Sequence, residues 1–459
     1  MSRPSNRPIC RPALPALLAA CLGAAAAAAD STGTVRVVTA FPANRGPGWK
    51  QTIDVAGAVG PRHVVAFDEG GFVVQEKATG REVQRFAPRE FWRRVQPAHT
   101  LVPQAEANDP RILYDPLAER WYACAAGTTV ADCFLAVSTS ADPTGPWKGV
   151  KLPLPPIDPY MKMGLDKHAL YICSCNGDPD WRKGMNCYVI PKQDVLAPDG
   201  PLLHRAQTFT GLIFALMPAL DLDPRKPPEA PHALLINEFS EGLCRQLFLY
   251  RLTWSAGRAA LSAPQTIPLS RTYYTPATNL AVQPAPGPRL RAGGGNRRLE
   301  SAFVFQGSLF GCHGAKRAPD SRPGILWYEI RLRDGALLQE GFVEDAHSDY
   351  LHPSLAVDAR GNLGLGCTRT SETEYPSVYV LMRAPTDPPH TLRPPVLAMR
   401  GTTCYRYGDY PAINLSHYSS TCVDPVAPGR LWTYQAYGNS PVDKQWCTAW
   451  AAFELAAPE

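Results

Sequence analysis

Charged and aromatic side chains recur where apolar, strand-like segments of this sequence begin. They are Asp109 and Arg111; Asp158, Tyr160 and Lys162; Arg298 and Glu300; Tyr350 and His352; and Arg406, Asp409 and Tyr410. Carboxylates, cations, phenols and imidazole together suit recognition of a polar ligand through directed hydrogen bonds. The same Asp and Tyr side chains also suit bonds between neighbouring strands. The sequence leaves both interpretations open, and we predict a ligand site from this set.

Two reaction chemistries fit members of the set. Glycoside hydrolysis needs an acid and a base or nucleophile, for which Asp109 and Glu300 are candidates. Elimination beside a uronate needs a proton acceptor and donor, for which His352 and Tyr350 are candidates. Nothing in one sequence selects a pair, so whether the protein is an enzyme stays open.

The elements that must position these residues repeat along the chain. Residues 109–124, 158–173 and 352–367 each begin with a polar residue beside proline, continue as an alternating strand, turn at an aspartate and enter a second strand. Such self-similarity predicts an all-β fold, a β-propeller with seven blades in a closed ring. The predicted blades cover 62–86, 109–150, 158–195, 210–255, 298–332, 350–385 and 407–456, and residues 34–40 would close the ring. Inner strands of a propeller begin around one mouth of the channel, so the polar set should converge there.

The first 29 residues are typical of a secretory signal peptide. Arg3, Arg7 and Arg11 precede an apolar run that ends in small residues before Asp30. Residues 30–459 then form a single propeller domain, secreted or periplasmic. Leu18-Ala-Ala-Cys21 matches a bacterial lipobox, so a lipid anchor at Cys21 is the alternative.

Charge and motifs exclude several function classes. The net charge of +5 falls to +2 without the three leader arginines, and no basic stripe follows, so nucleic acid is not an expected partner. No membrane span, P-loop, HExxH or dinucleotide fingerprint occurs. We predict a monomer that binds a polar small molecule or glycan with no cofactor and no metal site, leaving a channel calcium open.

Cysteines are numerous for an exported chain. Of the 13 in the sequence, those beyond the leader are expected to form disulfides. Cys124 with Cys133, Cys187 with Cys173 or Cys175, and Cys312 with Cys367 are the candidate pairs.

Through several short sequence motifs the chain resembles a group of exported bacterial β-propeller proteins. They include Asn108-Asp-Pro-Arg-Ile-Leu-Tyr-Asp115, Arg120-Trp121 and Arg406-Tyr-Gly-Asp-Tyr410, within a resemblance that spans about 57–456. Ser140-Ala-Asp-Pro-Thr-Gly-Pro-Trp147 looks like the Asp-box of sialidase propellers, a looser similarity shared with arabinanase-type glycosidases. The resemblance implies the fold and no settled activity. We therefore expect a secreted propeller that binds carbohydrate at its mouth, with a glycoside hydrolase or polysaccharide lyase, or an envelope interaction scaffold, as alternatives.

Overall fold

The computed structural model describes residues 33–46, 48, 53–97, 107–127, 133–153, 160–238, 242–276, 280–291, 297–440, 442 and 444–456. The predicted signal peptide and Cys21 lie outside these residues. Within them the chain is almost entirely β-structure, and the fold is propeller-like. No helix in this part of the chain is long and apolar enough to cross a membrane.

Most of the strands β1 to β33, numbered in chain order, form antiparallel sets of four or five, and parallel pairings of β15 join two of these sets into one sheet of nine strands. The first sheets contain β2 (Gly57–Val59), β3 (His63–Asp68), β4 (Gly71–Glu76) and β5 (Glu82–Phe86), then β6 (Ala107–Asp115), β7 (Arg120–Gly127), β8 (Cys133–Ser138) and β9 (Trp147–Leu152). The next two contain β10 (Lys162–Leu165), β11 (Ala169–Cys175), β12 (Met185–Pro191) and β13 (Gln207–Leu212), then β14 (Met217–Pro218), β16 (His232–Asn237), β17 (Leu243–Ser255), β18 (Arg258–Leu261) and β19 (Gln265–Tyr274). Two short helices, α1 (Pro88–Arg94) and α2 (Lys192–Val195), and a 3-10 turn (Trp181–Lys183) connect strands.

The later sheets follow the same plan. They contain β22 (Ser301–Phe305), β23 (Ser308–Ala315), β24 (Gly324–Arg331) and β25 (Ala336–Val343), then β26 (Ser348–Val357), β27 (Leu363–Ser371), β28 (Ser377–Arg383) and β29 (Val396–Met399). The last combines β31 (Ser420–Val423), β32 (Arg430–Tyr437) and β33 (Cys447–Leu455) with β1 (Val35–Arg45), so that Val35 lies opposite Leu455. Strand β15 (Leu220–Asp221) bridges β10 and β22, and β20 (Leu280–Ala281), β21 (Arg289–Arg291) and β30 (Ala412–Ile413) form a separate small sheet.

The first strands of successive sheets lie beside one another. Contacts run from β2 to β6, β10, β14, β22, β26 and β31 in turn, and β31 contacts β2 again. Apolar clusters fill the spaces between sheets, as where Trp147 packs on Phe72 and Phe91 of the neighbouring elements. The starts of these inner strands therefore surround a common centre.

The repeated aspartates at the far ends of inner strands have a structural role. The Asp115 carboxylate accepts hydrogen bonds from the Leu117 amide at 2.9 Å and from Lys192 of α2, which follows β12 of the next sheet. The buried Asp424 carboxylate accepts one from Lys77 Nζ at 2.7 Å, which joins the last sheet to the first. Ionic hydrogen bonds of this kind hold neighbouring sheets in register.

The predicted disulfides are not formed in this structure. Cys124, Cys173, Cys187, Cys312 and Cys367 are buried thiols. Cys173 lies directly opposite Cys187 on β11 and β12. Burial, followed by the hydrogen bond that the Cys173 thiol makes to Cys187, raises the pKa of Cys173. The spacing across these strands allows a disulfide, but it stays a prediction.

Candidate functional site

The inner strands begin around a cavity of about 70 Å³. Its polar lining is formed by Arg111 on β6, Lys162 on β10, Glu300 before β22 and Tyr418 before β31. Further along, its walls become apolar, with Met163, Leu220, Phe303 and Leu355. The sequence prediction that polar strand-start residues converge is thus met by Arg111, Lys162 and Glu300.

The pair of Lys162 and Glu300 is fully buried. Lys162 Nζ lies 3.1 Å from Glu300 Oε2, and the two side chains are 3% and 0% exposed. Burial raises the pKa of Glu300 to about 7, against the opposing effects of Lys162 and Arg111. Burial also lowers the pKa of Lys162 to about 8, although Glu300 stabilises the ammonium. Both groups can therefore change charge near neutral pH, which is common at functional sites.

Tyr418 occupies the centre of this cluster. Its ring centroid lies 3.8 Å from the Arg111 guanidinium and 4.0 Å from Lys162 Nζ. Its hydroxyl donates a hydrogen bond of 3.0 Å to Asp109 Oδ1. Burial and the nearby Asp54 raise the pKa of the Asp109 carboxyl. The phenol therefore fixes both cations and one carboxylate at the mouth.

Two polar atoms that face the cavity have no hydrogen-bond partner among the described residues. One is Arg111 Nη2, a donor, and the other is Glu300 Oε1, an acceptor. Arg111 Nε donates to the Met161 carbonyl at 2.7 Å, and Nη2 faces Asp109 Oδ1 at 3.7 Å, an ion-pair contact beyond hydrogen-bond distance. An unpartnered buried polar atom costs about 1–3 kcal/mol, so a group that both donates and accepts a hydrogen bond would complement these two atoms.

The entrance to the cluster carries further polar and aromatic groups. His417, whose side chain is 35% exposed, lies 2.8 Å from Asp54 through Nδ1. Burial opposes a charge on His417, but the hydrogen bond to Asp54 and the negative charges of Asp54, Asp109 and Glu300 together raise its pKa. Asp54 and His417, like Tyr418, were missed by the sequence prediction.

Arg298 and Tyr160 form the other part of the entrance. The Arg298 guanidinium lies 4.9 Å from the Tyr160 ring centroid and 4.8 Å from that of Phe214. The two rings lie 5.2 Å apart. Burial raises the pKa of Tyr160, so its phenol stays neutral. These rings give the mouth an apolar, aromatic side beside its charged floor.

Backbone strain marks two of the predicted strand starts. Asp109 and His352 have φ of 45° and 49°, and each lies where the strand pairing shifts register. Non-glycine residues in this region cost about 1–3 kcal/mol, and such strain often accompanies functional sites. The His352 carbonyl accepts from Ser419 Oγ at 2.8 Å, which ties β26 to the loop that carries Tyr418.

The predicted His352 and Tyr350 proton-transfer pair is not assembled as expected. Burial and then His417 lower the pKa of His352 to about 3, so its ring stays neutral. Tyr350 belongs to the apolar cluster that contains Trp327 and Tyr379. Burial raises its pKa to about 12. Tyr350 therefore packs between sheets rather than against the cavity.

The predicted residues of the last blade also lie elsewhere. Arg406 donates to the Pro286 carbonyl at 2.8 Å, and Asp409 and Tyr410 are exposed on a loop. The short strand that follows them, β30, pairs with β21, and the inner strand β31 begins only at Ser420. Arg406, Asp409 and Tyr410 therefore do not begin the inner strand of this blade, contrary to the sequence prediction. Asp158 lies outside the described residues.

The described residues contain no group of three or more His, Cys, Asp or Glu side chains that could hold a metal ion.

No protein family model and no curated protein matches the sequence. Among solved structures, an ulvan lyase from a new polysaccharide lyase family is 10% identical, with a TM-score of 0.43 over 90% of this chain and 95% of that one. An endo-arabinase from Bacteroides thetaiotaomicron is 13% identical, with a TM-score of 0.31 over 64% and 94%. A Synechocystis apocarotenoid oxygenase is 12% identical, with a TM-score of 0.42 over 80% and 76%. At these values the similarities assign no activity to the chain.

Proposed function

We propose that this chain is an exported, seven-bladed β-propeller whose channel mouth binds a hydroxylated ligand, a carbohydrate. Seven inner strands contact one another in a cycle that returns from β31 to β2. The pairing of β1 with β33 and the Lys77–Asp424 ion pair support a closed ring. Closure removes exposed sheet edges, which suits a stable extracellular scaffold.

The observation that carries the binding function is the unpartnered pair of Arg111 Nη2 and Glu300 Oε1 in one cavity. A hydroxyl group donates one hydrogen bond and accepts two, so one sugar hydroxyl can satisfy both atoms. An isolated carboxylate would satisfy the guanidinium but would repel the Glu300 carboxylate. The aromatic side of the mouth, Tyr160 with Phe214, suits the apolar face of a sugar ring.

A glycoside hydrolase or lyase is the second candidate. The raised pKa values of the Asp109 and Glu300 carboxyls, both due first to burial, favour it because acid catalysis needs a protonated carboxyl near neutral pH. Both carboxyls are already engaged within the protein: Glu300 pairs with Lys162 at 3.1 Å, and Asp109 accepts a hydrogen bond from Tyr418 at 3.0 Å. This engagement favours binding over cleavage.

The test is a binding screen of the mature protein against neutral and uronate-containing oligosaccharides by calorimetry. Reducing ends and absorbance near roughly 235 nm, which reports unsaturated uronates, are followed in the same samples. We expect saturable binding without either product signal. New reducing ends alone would establish a hydrolase, and rising absorbance a lyase.

Matched arginine variants locate the site. We expect Arg298→Gln to weaken binding about tenfold, the loss of one charged hydrogen bond. Arg333→Gln is the control, because Arg333 is 78% exposed in the turn between β24 and β25. No binding to any saccharide, or equal losses in the two variants, would refute a carbohydrate site at this mouth.

A further inference from the structure

The opposite end of the channel carries a second, larger cavity of about 310 Å³. It lies where inner strands end, and its walls are mainly apolar: Leu222, Phe303, Phe305, Val357, Val423 and Pro425. Its volume falls at the lower end of the range of small-molecule pockets, about 300–1,000 Å³. None of the polar residues of the proposed carbohydrate site lines this cavity, and Phe303 is the wall residue that the two cavities share.

The apolar walls continue into the channel. A smaller cavity of about 30 Å³ shares Leu222, Phe303 and Val423 with the larger one and extends inward to Leu113 and Leu220. Leu222, Phe305 and Val423 are only partly buried, so the mouth presents apolar side chains to solvent. Burying such surface is favourable by about 25 cal/mol per Å², so the binding of a narrow alkyl chain in this cavity is favoured.

Around this mouth the aspartates are buried and already hydrogen-bonded, whereas the arginines are exposed to solvent. The buried Asp358 carboxylate already accepts from the Arg360 and Asn362 amides, and the buried Asp424 from Lys77. The guanidinium groups are more accessible than these acids. Arg225 is 81% exposed.

Two further arginines lie at the same rim. The Arg360 guanidinium lies against Gly429, about 3.0 Å from where a Cβ would stand, and Gly429 lines the cavity. Arg430, which also lines the cavity, is 31% exposed and binds Glu454 at 3.0 Å. Arg225 contacts Asp223 through Nε at 3.4 Å. The exposed rim therefore offers donors to an anionic head group.

We propose that this second mouth binds a single-chain anionic amphiphile, with its alkyl chain in the apolar cavity and its anionic head at the arginine rim. The proposal is independent of the carbohydrate site, because it uses the opposite ends of the inner strands.

The test is calorimetric titration of the mature protein with decanoate and with decylammonium, both below their micelle-forming concentrations. Decanoate is expected to bind saturably, one per chain, and at least fivefold more tightly than decylammonium. Leu222→Asp, which places a carboxylate in the apolar wall, is expected to weaken decanoate binding at least tenfold. Leu338→Asp on β25 is the matched control and should change nothing, because Leu338 is 38% exposed and away from the cavity.

If Leu222→Asp fails to fold, two further variants test decanoate binding at this mouth. Ala359→Trp, at an exposed position of the lining, should block the mouth and weaken decanoate binding at least tenfold. Arg225→Gln should weaken decanoate binding and should not weaken decylammonium binding. The proposal is overturned if decanoate shows no saturable binding, if the folded wall variants bind like Leu338→Asp, or if decylammonium binds as tightly as decanoate.

Discussion

Replacing Lys162 by methionine tests the electrostatics of the mouth. Methionine keeps the length of the side chain and removes the ammonium, which leaves Glu300 without its partner at 3.1 Å. The lost cation–π contact with Tyr418, at 4.0 Å, is worth about 1–2 kcal/mol of unfolding free energy when desolvated. That part of the loss does not depend on pH.

The remaining loss does depend on pH, because burial raises the pKa of Glu300 from 4.5 to about 7. Between these values the folded state of either protein holds a proton that the unfolded state has released, so both lose stability equally as pH rises. Above pH 7 the Glu300 carboxyl of the wild type ionises beside the Lys162 ammonium. In the variant this ammonium is absent, so the buried Glu300 carboxyl stays protonated in the folded state. The difference between the proteins should then grow by about 1.4 kcal/mol per pH unit.

Urea denaturation of the wild type and of Lys162→Met at four pH values from about 5.5 to 8.0 measures the difference in their free energies of unfolding. This range covers the ionisation of Glu300 in the folded wild type. We expect a constant loss at the two lower values and a larger one at pH 8. Lys183→Met is the control, since Lys183 and Asp180 are 64% and 42% exposed at 4.0 Å and should contribute less than about 1 kcal/mol at every pH. A loss for Lys162→Met that does not vary with pH would refute the buried, proton-linked pair.

Two other predictions concern the scaffold. Lys77→Met should reduce the free energy of unfolding by about 3 kcal/mol, because it leaves the Asp424 carboxylate, 1% exposed, without its cation across the first and last sheets. Cys173 and Cys187, opposite each other in β11 and β12, should be found as a disulfide by mass spectrometry of protein purified from an oxidising compartment.

Each of these has a control. Arg94→Met removes an exposed pair with Glu90, at 58% and 47% exposure, and should cost less than about 1 kcal/mol. A loss for Lys77→Met no larger than this would argue against a closed ring. In the cysteine experiment, Cys244 should be recovered as a thiol, because it is fully buried and the residue opposite it on β19 is Tyr273 rather than a cysteine. Full alkylation of Cys173 and Cys187 would contradict the exported, oxidised state.

The sequence predicted part of this site for a physical reason. Arg111, Lys162 and Glu300 begin inner strands, and the repeated polar-then-alternating pattern marks that position directly. The same pattern could not predict that Tyr350 packs between sheets. The pairing of β26 with β27 shifts register between Leu351 and Ser354, and this shift changes the direction of the strand. A local sequence pattern does not encode such a bulge.

In the last blade the sequence pattern could not identify where the inner strand begins. Asp409 and Tyr410 precede a short alternating segment that resembles a strand start, but that segment pairs with β21 in a separate small sheet. The side chains of His417 and Tyr418, which belong to the candidate site, lie in Ser416-His-Tyr-Ser-Ser420, directly before β31. Only tertiary pairing distinguishes the two segments.

The central claim is that the channel mouth holds a sugar hydroxyl between Arg111 and Glu300. A crystal structure of the protein soaked with the tightest-binding oligosaccharide tests it most directly. The account predicts one ligand oxygen within about 2.6–3.2 Å of both Arg111 Nη2 and Glu300 Oε1. A saccharide bound on the outer strands, with both atoms still without a ligand contact, would contradict it.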